Sequence, residues 1–365
     1  MSAWRYHNPV RLEAGRLESL PELIQSLNIS QGKCLLVTSA GMTSRGVTAR
    51  IKALTAELNI DWLVHDTVTP NPELDDLDAV TERLLSEDIL GVVALGGGSV
   101  LDAAKVLAVT LPYGEAGSLK ACLRNGKGQN WQTTLPLIAI PTTSGTGAEV
   151  TPFATVWDQA EHKKYSVTGT LVLPDVALLD PALTLSLPET ETLNTGLDAI
   201  SHACESLWNV NKTAVSEAYA RQALILAKTA LPQVLARPND VNARAAMQNA
   251  SVLAGLAISQ TRTAIAHAIS YPLTSHFGVP HGLACSFTLP KIIEDYIHVC
   301  KDESLINLMR SVQSMLKGLS LNSRVHEYAT EAKILELSGE MFHPERAGNY
   351  LGTLSAYKVT GFVKL

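Results

Sequence analysis

Through its first half the chain alternates short apolar runs with longer stretches whose apolar residues recur every three or four positions. The periodic stretches predict helices over 20–30, 47–58 and 74–88, and the runs predict buried strands at Cys34–Thr38, 61–68 and 91–98. Turns are marked by Gly41 and by Thr69-Pro70-Asn71-Pro72. Residues 111–131, rich in Gly, Lys and Asn, read as an irregular connection. LPLIAIP (135–141) is another buried strand, and KKYSVTG and LVLPDVALLDP continue with strand-like segments punctuated by Pro174, Pro181 and Pro188. Beyond Pro188 the period becomes 3.6 residues, predicting helices over 190–210, 216–236, 241–260 and 263–277. Strands alternating with helices imply a parallel sheet covered on both faces. The fold class is therefore α/β plus all-α: an N-terminal Rossmann-like parallel-sheet domain over 1–187, then a C-terminal helical domain over 188–365.

Composition narrows the partners. A chain of 365 residues is long for one core, which also argues for two domains. A net charge of −6 offers no general attraction to nucleic acid or an anionic membrane. The most apolar stretch, GVVALGGGSVLDAAKVLAVTLP, is broken by glycines, Asp102 and Lys105, so no membrane span is expected. MSAWRYHNPVRLEAG lacks the apolar run of a secretory signal. Cys34, Cys122, Cys204, Cys285 and Cys300 are odd in number and contain no C-x-x-C. Reduced thiols in a cytoplasmic protein are the expectation, without a disulfide framework or a thiolate metal cluster.

Two loops after strands carry candidate binding chemistry. GGGSVLDAAK (96–105) leaves backbone amides unshielded at the start of a helix, a setting that favours a diphosphate. It matches neither G-x-G-x-x-G nor a Walker A pattern, and a tight turn without ligand is the plain alternative. Asp102 and Lys105, one turn apart, could be an ordinary surface pair. PTTSGTGAEVTPFA (141–154) follows another strand with hydroxyls suited to phosphate, ribose or an amide. Both loops lie at the strand ends where open α/β sheets bind ligands.

Four further side chains make sense as a set. Asp198 and His202 share a helix face one turn apart; His267 lies in a second helical run, and His281 follows the break at Gly278-Val279-Pro280. One carboxylate and three imidazoles suit zinc or ferrous iron and leave room for a substrate oxygen. A satisfied helix-surface pair is the alternative for Asp198 and His202. The set lies in the helical half and the loops in the α/β half, so a cleft between the two is the expected active site.

TPNP (69–72), GGGSVLDAAK, PTTSGTGAEVTPFA, Asp180-Pro181, TGLDAISHACES (195–206) and the His267/His281 pair, in that order, resemble the iron-containing (group III) alcohol dehydrogenase family. The resemblance implies a dehydroquinate synthase-like architecture with Fe2+ or Zn2+ on Asp198, His202, His267 and His281. It implies NADP or NAD held by Asn71, Gly96, Gly97, Gly98, Ser99, Asp102, Thr142, Thr143 and Ser144. It further implies a small aldehyde or alcohol substrate and a homodimer. Glycerol-type dehydrogenases and dehydroquinate-synthase-like lyases share the architecture, the latter with glutamate in place of the first aspartate. Two departures stand out. Tyr271 occupies the place of a histidine implicated in proton relay, and with a reference pKa of about 10 it is a poor shuttle at neutral pH; His276 is the other candidate. Ser39 stands where NAD-preferring relatives carry an acidic residue, and Arg45 is close enough in sequence to meet a 2′-phosphate. HPER (343–346) followed by Asn349 is similar to the phosphonoacetaldehyde-reductase branch, with His343 and Arg346 as candidates for an anionic group.

Overall fold

The computed structural model describes residues 6–364 apart from 30, 126, 162, 343, 353 and 354. The chain divides into two compact units, one formed by Asn8–Thr143 and Ala148–Thr184, the other by residues 6 and 7, Ser144–Gly147 and the chain from Leu185 onward.

The first unit is built on strands β1 (Arg11–Ala14), β2 (Gly32–Val37), β3 (Ile60–His65), β4 (Ile89–Gly96) and β5 (Leu137–Pro141), a hairpin of β6 (Phe153–Asp158) and β7 (Lys163–Thr168), and β8 (Val176–Leu179). Six of them form a parallel sheet in the order β1-β8-β5-β4-β2-β3. Its helices are α1 (Leu20–Ser26), α2 (Ala40–Ser44), α3 (Val47–Leu54), α4 (Leu74–Leu84), α5 (Gly98–Tyr113) and α6 (Ser118–Leu123). Both faces of the sheet are buried: Leu35, Val37, Val92 and Ala94 pack in one core, Cys34, Leu36, Val93 and Leu95 in another. That double burial is why the strands read as unbroken apolar runs rather than alternations.

Four local differences from the sequence reading have physical reasons. The turn expected at Gly41 is the short helix α2, which Ser39 precedes in an extended conformation. The supposedly irregular 111–131 contains α6, whose first amides, Leu119 N and Lys120 N, donate to the buried carboxylate of Asp78 at 3.0 and 2.9 Å. The edge strand β1 is mostly exposed, so RLEA carries no apolar signal. Lys105 is no surface residue: it is fully buried, and its Nζ donates to the carbonyls of Thr151 and Phe153, both at 2.9 Å. It thereby ties α5 to the entry of β6.

The second unit is helical: α7 (Glu189–Leu207), α8 (Ala214–Ala236), α9 (Val241–Thr261), α10 (Ile265–Phe277), α11 (His281–Ser286), α12 (Leu289–Val299), α13 (Glu303–Gly318), α14 (Leu321–His326), α15 (Glu331–Glu336), α16 (Pro344–Ala347) and α17 (Ala356–Val363). Side-chain oxygens cap three of these helices, Thr213 on α8, Asp240 on α9 and Asp302 on α13. Ser144–Gly147 belongs with these helices because its glycines touch their backbones. A Cβ on Gly145 would lie 2.6 Å from the carbonyl of Thr195, and one on Gly147, at φ +62, would lie 2.5 Å from Gly255 Cα. Among the described residues no helix is long and apolar enough to cross a membrane.

Candidate metal centre and dinucleotide loops

Helix α7 presents Asp198, His202 and Glu205 at i, i+4 and i+7, so all three occupy one face, and all are buried. His267 stands in the first turn of α10 and His281 opens α11. Oδ1 of Asp198 lies 3.6 Å from Nε2 of His202, 3.5 Å from Nε2 of His267 and 3.7 Å from Nε2 of His281. These separations are long for hydrogen bonds, and both Asp198 Oδ1 and His267 Nε2 are buried without a hydrogen-bond partner. Donors about 2.1 Å from a shared tetrahedral centre stand about 3.4 Å apart. The arrangement therefore fits a divalent transition metal, and the orphaned atoms point at where it would sit.

The electrostatics agree. Burial alone would push the Asp198 carboxyl up, but the imidazoles, His202 foremost, outweigh it and hold the group well below the usual carboxylate range. Burial pushes the His202 imidazole down, toward the neutral form that can ligate.

Two residues at this centre escaped the sequence reading. Glu205 accepts from Nδ1 of His267 at 2.6 Å and from the amides of Ala264, Ala266 and His267 at 2.9, 2.6 and 3.2 Å. With Nδ1 engaged as donor, Nε2 of His267 is left free to ligate. Burial opposes ionisation of Glu205, yet His267 and these amides hold its carboxyl below the ordinary value. The second is Cys285, one turn after His281 on α11. Its Sγ and donor atoms of Asp198, His267 and His281 all lie within 4.8 Å of one another. Helical spacing was the available signal for both residues.

α11 can lie this close to α7 because residue 282 is glycine. A Cβ there would fall 1.8 Å from the carbonyl oxygen of Asn194. The other candidates divide. The Tyr271 ring is 6.4 Å from that of His281, and the half-buried Arg346 places its guanidinium 4.1 Å from the Tyr271 centroid. His276 is exposed at the end of α10 and pairs with Glu340 at 3.0 Å. His343 lies outside the described residues.

In the first unit the two loops after strands come together. Thr142 N donates to the Gly96 carbonyl at 2.9 Å. A Cβ on Gly97 would meet Thr143 Cγ2 at 3.2 Å, and one on Gly96 would meet Val100 Cβ at 2.6 Å. Gly97 has an ordinary φ of −78, and neither Gly96 nor Gly98 has a positive φ. The glycines serve close approach rather than an unusual φ. Gly98 opens α5, whose N-terminal amides face the loop pair. Asn71, at φ 61, donates its amide to Ser99 Oγ at 3.2 Å. Asp102 accepts from Thr155 N at 2.8 Å, so its carboxylate is partly committed to β6. Arg45 folds back over its own helix, with Nη2 3.2 Å from Met42 Sδ. Ser144 is buried in the second unit.

Comparison with known proteins adds independent weight. Residues 8–181 match the family model for iron-containing alcohol dehydrogenase, and residues 192–350 match the model for the C-terminal part of the Fe-containing alcohol dehydrogenase family. A phosphonoacetaldehyde reductase of Streptomyces viridochromogenes is 35% identical over 260 residues, which cover 70% of this chain and 65% of that protein. The match thus spans just under two thirds of that relative's length. The solved sulfoacetaldehyde reductase of Bifidobacterium kashiwanohense, in complex with NAD+, is 26% identical with a TM-score of 0.87, covering 100% of this chain and 98% of that one. An iron-containing alcohol dehydrogenase of Thermotoga maritima is 30% identical with a TM-score of 0.83, covering 99% and 98%. With matched models in both halves and near-complete superposition on a solved member, the chain belongs to the iron-containing alcohol dehydrogenase family.

Proposed function

We propose that this chain is a metal-dependent, NAD(P)-linked oxidoreductase that interconverts small aldehydes and primary alcohols. The observation that carries the reading is the convergence of three imidazole Nε2 atoms on one carboxylate oxygen, that of Asp198. Asp198, His202, His267 and His281 hold the metal, and Glu205 fixes the tautomer of His267. Gly96, Gly97, Gly98 and Ser99, with Asn71, Asp102, Thr142, Thr143 and Ser144, bind the dinucleotide, and Ser39 sits at its adenosine end. When bound, the metal supplies Lewis acidity to a carbonyl oxygen and the nicotinamide supplies hydride to its carbon. Tyr271, whose ring lies 6.4 Å from that of His281, donates a hydrogen bond to the substrate oxygen. His276, held by Glu340 at the exposed end of α10, serves as a proton exit to solvent.

Within that class the reading favours aldehydes with an anionic group two atoms from the carbonyl. Arg346, its guanidinium 4.1 Å from the Tyr271 ring centroid, has no carboxylate partner among the described residues, and a guanidinium suits phosphonate or sulfonate oxygens. The names of the Streptomyces and Bifidobacterium relatives fit the same chemistry. We place the protein in the cytoplasm as a homodimer, which light scattering tests. The deciding experiment is a panel of phosphonoacetaldehyde, sulfoacetaldehyde, propanal and glycerol with NADH and NADPH on metal-reconstituted protein. Turnover is expected with the aldehydes, the anionic ones at the highest kcat/KM; turnover of glycerol alone would replace this reading with a polyol dehydrogenase.

A further inference from the structure

We propose that Arg262, at the end of α9, is a second cation for the anionic group of the substrate, acting with Arg346 to set the preference for phosphonate- or sulfonate-bearing aldehydes. The inference rests on the substrate class of the proposed function and adds a residue to its recognition. It starts from the backbone. Arg262 has φ 62 and ψ 174, a conformation almost confined to glycine. Asn59 and Ser320 also have positive φ, but their ψ of 43 lies in the left-handed helical well, where single residues other than glycine do occur. The conformation at Arg262 is held at both ends of the residue. Its amide donates to the Ile258 carbonyl at 2.9 Å, and its carbonyl accepts from Asn209 Nδ2 at 3.0 Å and Thr261 Oγ1 at 3.2 Å. All three bonds use main-chain atoms of residue 262 and would form equally with glycine there. They account for the bend and give no reason for an arginine side chain.

That side chain is exposed, and it has no carboxylate partner among the described residues. Its turn is tied both to the metal centre and to the segment that carries Arg346. Oε2 of Glu205 accepts the Ala264 amide at 2.9 Å and Nδ1 of His267 at 2.6 Å, so the backbone two residues past Arg262 shares a partner with a metal-binding imidazole. Asn349 Nδ2 donates to the Thr263 carbonyl at 2.9 Å, and the Asn349 amide donates to the Arg346 carbonyl at 3.0 Å. One asparagine thus joins the turn of Arg262 to that of Arg346. A phosphonate or sulfonate presents three acceptor oxygens, and two planar forks can engage them where one leaves oxygens over. A neutral aldehyde gains nothing from the second fork, so Arg262 acts on selectivity.

The test uses the full chain, metal-reconstituted and supplied with dinucleotide, and two variants with opposite consequences for the backbone. Arg262→Gly relieves the strain and should raise Tm; Arg262→Ala keeps a Cβ in the same conformation and should not. Both remove the cation. Both should therefore lower the ratio of kcat/KM for phosphonoacetaldehyde to that for propanal at least about tenfold, or roughly 1.4 kcal/mol, through KM of the anionic substrate. Arg262→Lys should restore part of the ratio. A ratio within twofold of wild type in both the Gly and Ala variants would overturn the role of Arg262 and leave the proposed function standing. A Gly variant that melts no higher than the Ala variant would remove the strain from which the inference starts. Wild type that turns over propanal as efficiently as phosphonoacetaldehyde would overturn the anionic substrate class and this inference together.

Discussion

Glu205→Gln probes the metal centre without touching a residue of the donor set. The carboxylate closes the start of α10 with two oxygens: Oε1 takes the amides of Ala266 and His267, and Oε2 takes the Ala264 amide and His267 Nδ1. Glutamine keeps the shape but turns one oxygen into an NH2 group. Whichever way it is oriented, that NH2 faces two donors in a fully buried place. A buried donor left unsatisfied costs about 1–3 kcal/mol, so with two of them the fold should lose about 2–6 kcal/mol. The effect on metal is separate, because His267 Nδ1 exchanges a carboxylate acceptor for, at most, a neutral amide oxygen. Substitution of such an acceptor weakens metal affinity about 10- to 100-fold, or about 1.4–2.7 kcal/mol. Chelator-competition titration reads the metal Kd, and melting with and without metal reads stability. A lowered Tm together with a smaller metal-induced rise is the expected pair. A folded Gln variant whose metal Kd stays within twofold of wild type would refute the role given to Glu205.

Three further outcomes are expected. Ser39→Asp should lower kcat/KM with NADPH about 5- to 150-fold, about 1–3 kcal/mol, through repulsion of the 2′-phosphate, and spare NADH; parallel kinetics decide it, and equal loss with both cofactors counts against Ser39 as the discriminating position. Gly97→Val should weaken dinucleotide binding at least tenfold, about 1.4 kcal/mol, at unchanged metal content, since even a Cβ there already meets Thr143 at 3.2 Å; an unaltered cofactor titration would make the turn merely structural. Burial pushes Glu149 up to about 7, so its folded pKa is above the unfolded value and stability is lost as pH rises from about 4.5 through 7. Glu149→Gln should therefore stabilise the protein by up to about 3 kcal/mol at pH 8 and by less than about 1 kcal/mol at pH 5; denaturant titrations with equal effects at both pH values would show that ionisation at this position is not the cause.

The fold class was legible because a doubly covered sheet imposes unbroken apolar strands and the helical half imposes a 3.6 period. The exposed edge strand β1 had no such imprint, since RLEA faces solvent on most of its length. At the metal centre, spacing brought out Asp198 with His202 because both ride one helix. Glu205 and Cys285 stood at equally regular spacings, but only the packing of α7 against α10 and α11 tells which faces meet. Lys105 illustrates the opposite error: its charge reads as surface, while the structure spends three acceptors on keeping it inside.

Gly282 carries a consequence for anyone screening related chains by their ligands. The residue donates nothing to the centre, yet any side chain there would have to move α11 from the Asn194 carbonyl by more than an ångström. Metal–donor distances tolerate about 0.2 Å. A chain that keeps Asp198, His202, His267 and His281 but loses this glycine would pass a motif search and fail to load metal. The diagnostic unit is therefore the dipeptide His281-Gly282, one residue for the bond and one for the space in which the bond can form.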